Sequence, residues 1–124
     1  MALLLARGDV ERVLTPDLCI PAVEEVKEMM ASGKRVQVLD VRPRHFVSRQ
    51  QDIADGIEWR DPEQLQQWIG ELDKAEPVVV YCAYGFHIGC KTAIKLRDAG
   101  FDARYMNSGH SGWKAIGHPI KRYG

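Results

Sequence analysis

Residues 77–90 read PVVVYCAYGFHIGC, and the fold turns on how this stretch divides. Pro77 to Tyr81 is a continuous, β-branched apolar run. That is the pattern of a strand covered on both faces, as in a parallel sheet. Residues 88 to 99 instead carry apolar Ile88, Ile94, Leu96 and Ala99 at helical spacing, and Gly100 is placed to end the helix as its C′ residue. Between them lies Cys82-Ala-Tyr-Gly-Phe-His87, a short loop from a buried strand to a helix start. Unpaired backbone N–H groups converge at a helix N-terminus, and the helix dipole adds partial positive charge there. Gly85 permits the positive φ that a tight, inward-facing loop requires. A thiol set in such surroundings ionises more readily than a free cysteine.

The same reading extends outward in both directions. Pro21 stands at a first helical position, Val23, Val26, Met29 and Met30 recur at helical spacing, and Gly33 closes the segment. Arg35 to Val41 reads as a strand, and Pro43 to Gln50 as a short helix. Asp61, Pro62 and Gln64 form an N-cap, a first-turn proline and a capping partner for a helix whose face carries Leu65, Trp68, Ile69 and Leu72. Ala103 to Met106 is a further strand, and Ser111 to Ile116 one or two helical turns. Strands alternating with helices predict an α/β fold, an open, mostly parallel β-sheet with helices on both faces. Ligands of such sheets sit at the carboxyl ends of the strands, where Cys82 falls. Residues 1–20 read as an N-terminal extension and 21–124 as a single domain.

Composition narrows the function. The chain has 124 residues, 45% hydrophobic and 27% charged, with zero net charge. The balance argues against a nucleic-acid binder, and no segment approaches the ~18 apolar residues of a membrane span. Met1 to Ala6 is apolar but has no basic start and runs into Arg7 and Asp9, unlike a secretory signal. With three cysteines (Cys19, Cys82, Cys90) a reduced, cytoplasmic setting fits. Four histidines without ligand spacing make a metal site improbable. Residues 1–82 hold 10 Lys and Arg against 15 Asp and Glu, a balance of −5, and residues 83–124 hold 7 against 2, a balance of +5. The half after Cys82 suits an anionic ligand, or else is a dipolar surface.

A strand, a cysteine loop and a helix serve nucleophilic thiolate chemistry, with backbone donors stabilising the covalent intermediate. Cysteine-dependent phosphatases need Cys-x5-Arg to clamp phosphate, and that position is Ile88 here. Four other motifs, in order, resemble the rhodanese family over about residues 36 to 120. They are Val38-Leu-Asp-Val-Arg42, Asp52-Ile-Ala-Asp-Gly-Ile57, the loop Val79-Val-Tyr-Cys-Ala-Tyr-Gly-Phe-His87, and Tyr105-Met-Asn-Ser-Gly-His-Ser-Gly-Trp113 followed by Gly117-His-Pro119. Arg60-Asp-Pro62 together with the loop resembles, more loosely, rhodanese domains found with chromate-resistance proteins. The resemblance implies that the Cys82 thiolate takes a sulfane sulfur from a small anionic or thiol-bound donor and holds it as a persulfide. Ala83, Tyr84, Gly85, Phe86, His87 and Ile88 would contact the substrate. The sulfur would then pass to cyanide or a thiol acceptor, with no metal, organic cofactor, nucleic acid or membrane involved.

The departures from the family pattern carry information. Ala83 follows the cysteine where thiosulfate-using members often have Arg or Lys, and His87 is the loop's one side chain able to become cationic. Asp52 replaces the histidine of Gly-His-Ile, and Ser108 replaces one closing glycine. The loop therefore favours a persulfide or other thiol-bound donor over thiosulfate. Tyr84 and Phe86 either line the mouth or pack. Asp40 and Arg42 read as an ion pair or hydrogen-bonding brace below the loop, and Arg44 and His45 as candidates to reach its mouth. Trp59, Trp68 and Trp113 read as packing, His110 as a surface residue, Cys90 as a small core residue, and Cys19 receives no role. The alternative to an enzyme is a binding or regulatory module that carries or senses sulfur or oxyanions. A weaker option, an oxyanion reductase with a second thiol, meets a separation of ~12 Å if Cys82 and Cys90 share one helix axis. Leu3 to Leu5 leaves monomer and homodimer open.

Overall fold

The computed structural model describes residues 18–20, 23–33, 35–83 and 87–123, with His87 through its backbone alone. Its elements are β1 (Cys19–Ile20), α1 (Val23–Ala31), β2 (Gln37–Asp40), α2 (Arg44–Gln50), β3 (Asp52–Ala54), β4 (Glu58–Trp59), α3 (Leu65–Trp68), β5 (Val78–Tyr81), α4 (His87–Asp98), β6 (Ala103–Met106), α5 (Gly109–Ala115) and β7 (Ile120–Arg122). Five strands form one sheet in the order β1-β6-β5-β2-β4, and each of its pairings is parallel. A separate antiparallel ribbon joins β3 to β7, with Asp52 opposite Arg122. Among the described residues no helix is long and apolar enough to cross a membrane.

The central strand is as buried as its composition requires, since all four residues of β5 are covered. Its side chains alternate between two cores. Val78 and Val80 pack with Leu65 and Trp68 of α3 and Ala93, Ile94 and Leu96 of α4. Val79 and Tyr81 pack with Val23 and Val26 of α1 and Trp113 of α5. Helices thus cover both faces, as the alternating pattern predicts. The candidate Pro21 at the start of α1 lies outside the described residues.

Local signals explain where the elements stop. Gly100 has φ +98°, its N–H bonds to the Arg97 carbonyl, and Phe101 bonds back to Leu96. That pair of bonds is the Schellman closure, and it makes Gly100 the C′ residue of α4. The Asp61 carboxylate accepts from the Glu63 N–H with Pro62 at the first helical position. The helix it caps is shorter than the apolar spacing predicts. Residues 62–64 and 69–71 are 3₁₀ turns, only Leu65–Trp68 is α-helical, and Leu72 is already extended. Gly70 weakens propagation, and so short a segment gains little from cooperativity.

Candidate active site

Parallel pairing puts the carboxyl ends of β2, β4, β5 and β6 on one edge of the sheet. Cys82 follows β5 at that edge and is 5% exposed, with Ala83 beside it also buried. The loop then enters α4 at His87. Of the sequence-nominated site residues, the structure places Cys82, Ala83 and Ile88. Tyr84, Gly85 and Phe86 lie outside the described residues, as does the His87 side chain.

Helix α4 folds back over the strand rather than continuing its axis. A Cβ built on Gly89 would lie 3.5 Å from both the Cys82 nitrogen and the Tyr81 Cα. The ~12 Å separation of Cys82 and Cys90 assumed a shared axis, so it does not describe this arrangement. Cys90 itself is a core residue, 1% exposed.

A second element grips the start of the loop. The His110 N–H donates to the Cys82 carbonyl at 2.8 Å, and the Ser111 N–H to the Ala83 carbonyl at 3.3 Å. Both donors belong to the first turn of α5, whose orphan N–H groups need acceptors. The approach is close enough to demand glycine at 109. Gly109 has φ +64°, and a Cβ there would meet the Cys82 and Ala83 carbonyl oxygens at 2.7 and 2.8 Å. The carbonyls of Cys82 and Ala83 are thereby both engaged by α5.

Beneath the grip lies a buried charged cluster. Arg42 is fully buried, and its Nε donates to both Asp40 oxygens at 3.0 and 2.8 Å. Its Nη1 reaches Gln50 at 2.6 Å and Asp52 at 3.3 Å, and its Nη2 the Asp52 carbonyl at 2.5 Å. Asp52 also accepts from Lys114 Nζ at 2.6 Å and contacts His110 Nε2 at 3.1 Å. The ion pair expected of Asp40 and Arg42 is present. Burial pushes the Asp40 carboxyl up, and its Arg42 bonds oppose that. Burial also works against ionisation of Asp52, but Lys114 and Arg42 outweigh it and hold its carboxyl below the ordinary value.

His110 corrects the sequence reading. It is 2% exposed, because the left-handed turn at Gly109 swings the first residues of α5 towards β3. Burial, with Arg42 nearby, lowers its pKa to about 4, so the ring is neutral at pH 7. Nε2–H then donates to Asp52, and Nδ1 lies 3.9 Å from Asp40, too far for a hydrogen bond. The signal that could have found it is the aspartate at 52, a departure from the family pattern that supplies the His110 ring with a partner. Arg44, nominated to reach the mouth, instead bonds Asp61 at 3.0 Å and lies 5.1 Å over the Trp59 ring. His45 is exposed and rests on Phe46.

The chain is similar to known proteins. Residues 22–116 match the family model of the rhodanese-like domain. A thiosulfate sulfurtransferase GlpE of Shewanella oneidensis is 33% identical over 86 residues, covering 68% of this chain and 81% of that protein. A crystal structure of a Lactobacillus plantarum protein superposes with a TM-score of 0.75 at 28% identity, covering 93% of this chain and 98% of the other. The solution structure of the rhodanese-like domain of the Anabaena Alr3790 protein gives 0.68 at 27% identity, covering 83% and 80%. The matched span covers most of the chain, and the chain belongs to the rhodanese-like domain family.

Proposed function

We propose that this chain is a sulfurtransferase with Cys82 as its nucleophile and residues 83–88 as the surround of the bound sulfur. The carrying observation is the pair of bonds from His110 and Ser111 to the carbonyls of Cys82 and Ala83. They engage the carbonyl acceptors of Cys82 and Ala83 with donors from α5, which favours an anion at the thiol over a site lined by free carbonyls. The Cys82 thiolate attacks the outer sulfur of a donor R–S–S⁻ or S–SO₃²⁻. The donor S–S bond breaks, its electron pair leaves with the thiolate or sulfite, and a Cys82 persulfide forms. An acceptor thiolate or cyanide then attacks the terminal sulfur, and the Cys82 thiolate leaves with its electron pair. No net oxidation occurs.

The charge arrangement supports a thiol-bound donor over thiosulfate. Arg42 and Lys114 are matched by Asp40 and Asp52, and His110 is neutral, so the cluster tied to Cys82 sums to zero. It offers a dianion no unspent cation. Intact-protein mass spectrometry after brief exposure to thiosulfate, or to a glutathione persulfide, tests both points. The persulfide should add one sulfur to wild type, removable by cyanide and absent from Cys82→Ser, with little gain from thiosulfate. No gain from either donor would overturn the sulfurtransferase reading in favour of a binding or sensing module.

A further inference from the structure

We infer that Asp52 and His110 form a latch that sets the orientation of the Cys82 peptide, making His110 a positioning residue for the reactive thiol. The inference rests on the proposed nucleophilic role of Cys82 and adds a device that holds it.

The latch runs in one unbroken line. Asp52 opens β3, in the ribbon that β3 makes with β7 outside the main sheet. Its carboxylate is fixed from two sides, by Arg42 at 3.3 Å and Lys114 at 2.6 Å. From that anchor it holds the His110 ring at 3.1 Å. The same residue's backbone N–H holds the Cys82 carbonyl at 2.8 Å. Ring and N–H belong to one residue of the first turn of α5, so the side chain that docks on β3 also aims the donor at Cys82. Loosening the ring lets the turn rock, and the Cys82 peptide rocks with it. Donors facing the sulfur then lose alignment, and hydrogen bonds weaken steeply off line. A thiolate with poorer donors is harder to form, which raises its pKa.

The geometry of the side chain distinguishes this role from packing. His110 sits among Asp40, Arg42, Asp52 and Lys114, where an apolar ring of equal size would fill the space but bond nothing. Glutamine can place its amide nitrogen near the position of Nε2 and keep the bond to Asp52. Asparagine is one methylene shorter and falls about 1.5 Å short of a hydrogen bond.

The experiment measures the pH dependence of iodoacetamide alkylation at Cys82, resolved by peptide mass spectrometry from Cys19 and Cys90. Wild type is compared with His110→Phe, His110→Asn and His110→Gln. The phenylalanine and asparagine variants should move the alkylation midpoint up by about one unit, equivalent to about tenfold less thiolate at neutral pH. Glutamine should restore the rate to within about twofold. Should the phenylalanine variant not fold, asparagine carries the same expectation. Wild-type profiles in the folded phenylalanine and asparagine variants, even with lowered melting temperatures, would reduce His110 to a packing residue and overturn the latch. Alkylation needs no sulfur donor. A shifted profile in a protein whose wild type takes no sulfur would uphold the latch and remove only the sulfurtransferase reading.

Discussion

Acid should weaken this protein through His110, and the size of the effect can be worked out. The imidazole is held at about 4 in the folded chain against an ordinary 6.5. As pH falls, the unfolded chain therefore takes the proton first. The contribution is full above about pH 6.5 and drains away between there and about 4. The displacement of about two and a half units corresponds to roughly 3 kcal/mol, of which 2 to 3 is lost by about pH 4.5. The neighbouring carboxylates act differently. Asp52 is held below its ordinary value, so its loss has the same sign but comes at lower pH. Asp40 is pushed up, so the folded protein takes that proton more readily and the sign reverses. Both remain in His110→Gln, and the difference between the two proteins isolates the histidine. Urea unfolding at about pH 7.5 and 4.5 should cost wild type about 2 kcal/mol or more beyond the loss in the glutamine variant. With a slope of about 1 to 1.5 kcal/mol per molar, that is a midpoint shift of one to two molar. Parallel losses, within about 0.5 kcal/mol, would refute the reasoning, because His110 would then titrate equally in the folded and unfolded chains.

Other perturbations follow from the same geometry. Gly109→Ala meets both a left-handed backbone, at about 1–2 kcal/mol, and the carbonyls of Cys82 and Ala83. It should lower the melting temperature and slow alkylation of Cys82, whereas Gly33→Ala, with φ +81° and open space around it, should show the backbone cost alone. Arg42→Met strands the buried Asp40 carboxylate and should cost about 3–5 kcal/mol in urea unfolding. Arg44→Ala removes a pair whose arginine is 66% exposed, and should cost about 1 kcal/mol or less in the same assay.

What could be read in advance followed from local rules. The apolar run of β5, the Schellman glycine at 100 and the cap at Asp61 each depend on residues within a few positions, and the structure repeats them. What escaped depends on chain segments meeting from afar. β3 pairs with β7 across more than sixty residues, and both are three-residue strands without a pattern of their own. His110 looked like a surface residue because it sits among Ser108, Gly109 and Ser111, a polar turn by composition. Its ring instead bonds Asp52, 58 residues earlier. The aspartate in place of the family histidine read as a weaker match, yet it holds the His110 ring in a part-buried hydrogen bond.

The charge asymmetry along the chain has a comparable resolution, and it bears on the donor. The −5 and +5 halves would leave a basic surround for Cys82 if each half kept its charge to itself. The fold brings them together. Lys114 of the basic half is spent on Asp52 of the acidic half, and within the basic half Arg104 faces Asp102. Arg42, fully buried, carries two carboxylates. On the proposed reading, an anion at Cys82 would depend on peptide dipoles more than on the charges of this cluster. Dipoles at fixed positions stabilise a small, localised charge such as a terminal persulfide sulfur, held at hydrogen-bond distance. They serve a dianion less well, since its second charge needs a counterion. Persulfide donors should accordingly outpace thiosulfate, and the preference should change little with added salt, because fixed dipoles at contact are screened far less than surface charge. A thiosulfate rate that exceeds the persulfide rate, or that falls steeply with ionic strength, would place an unspent cation at the mouth and refute the argument.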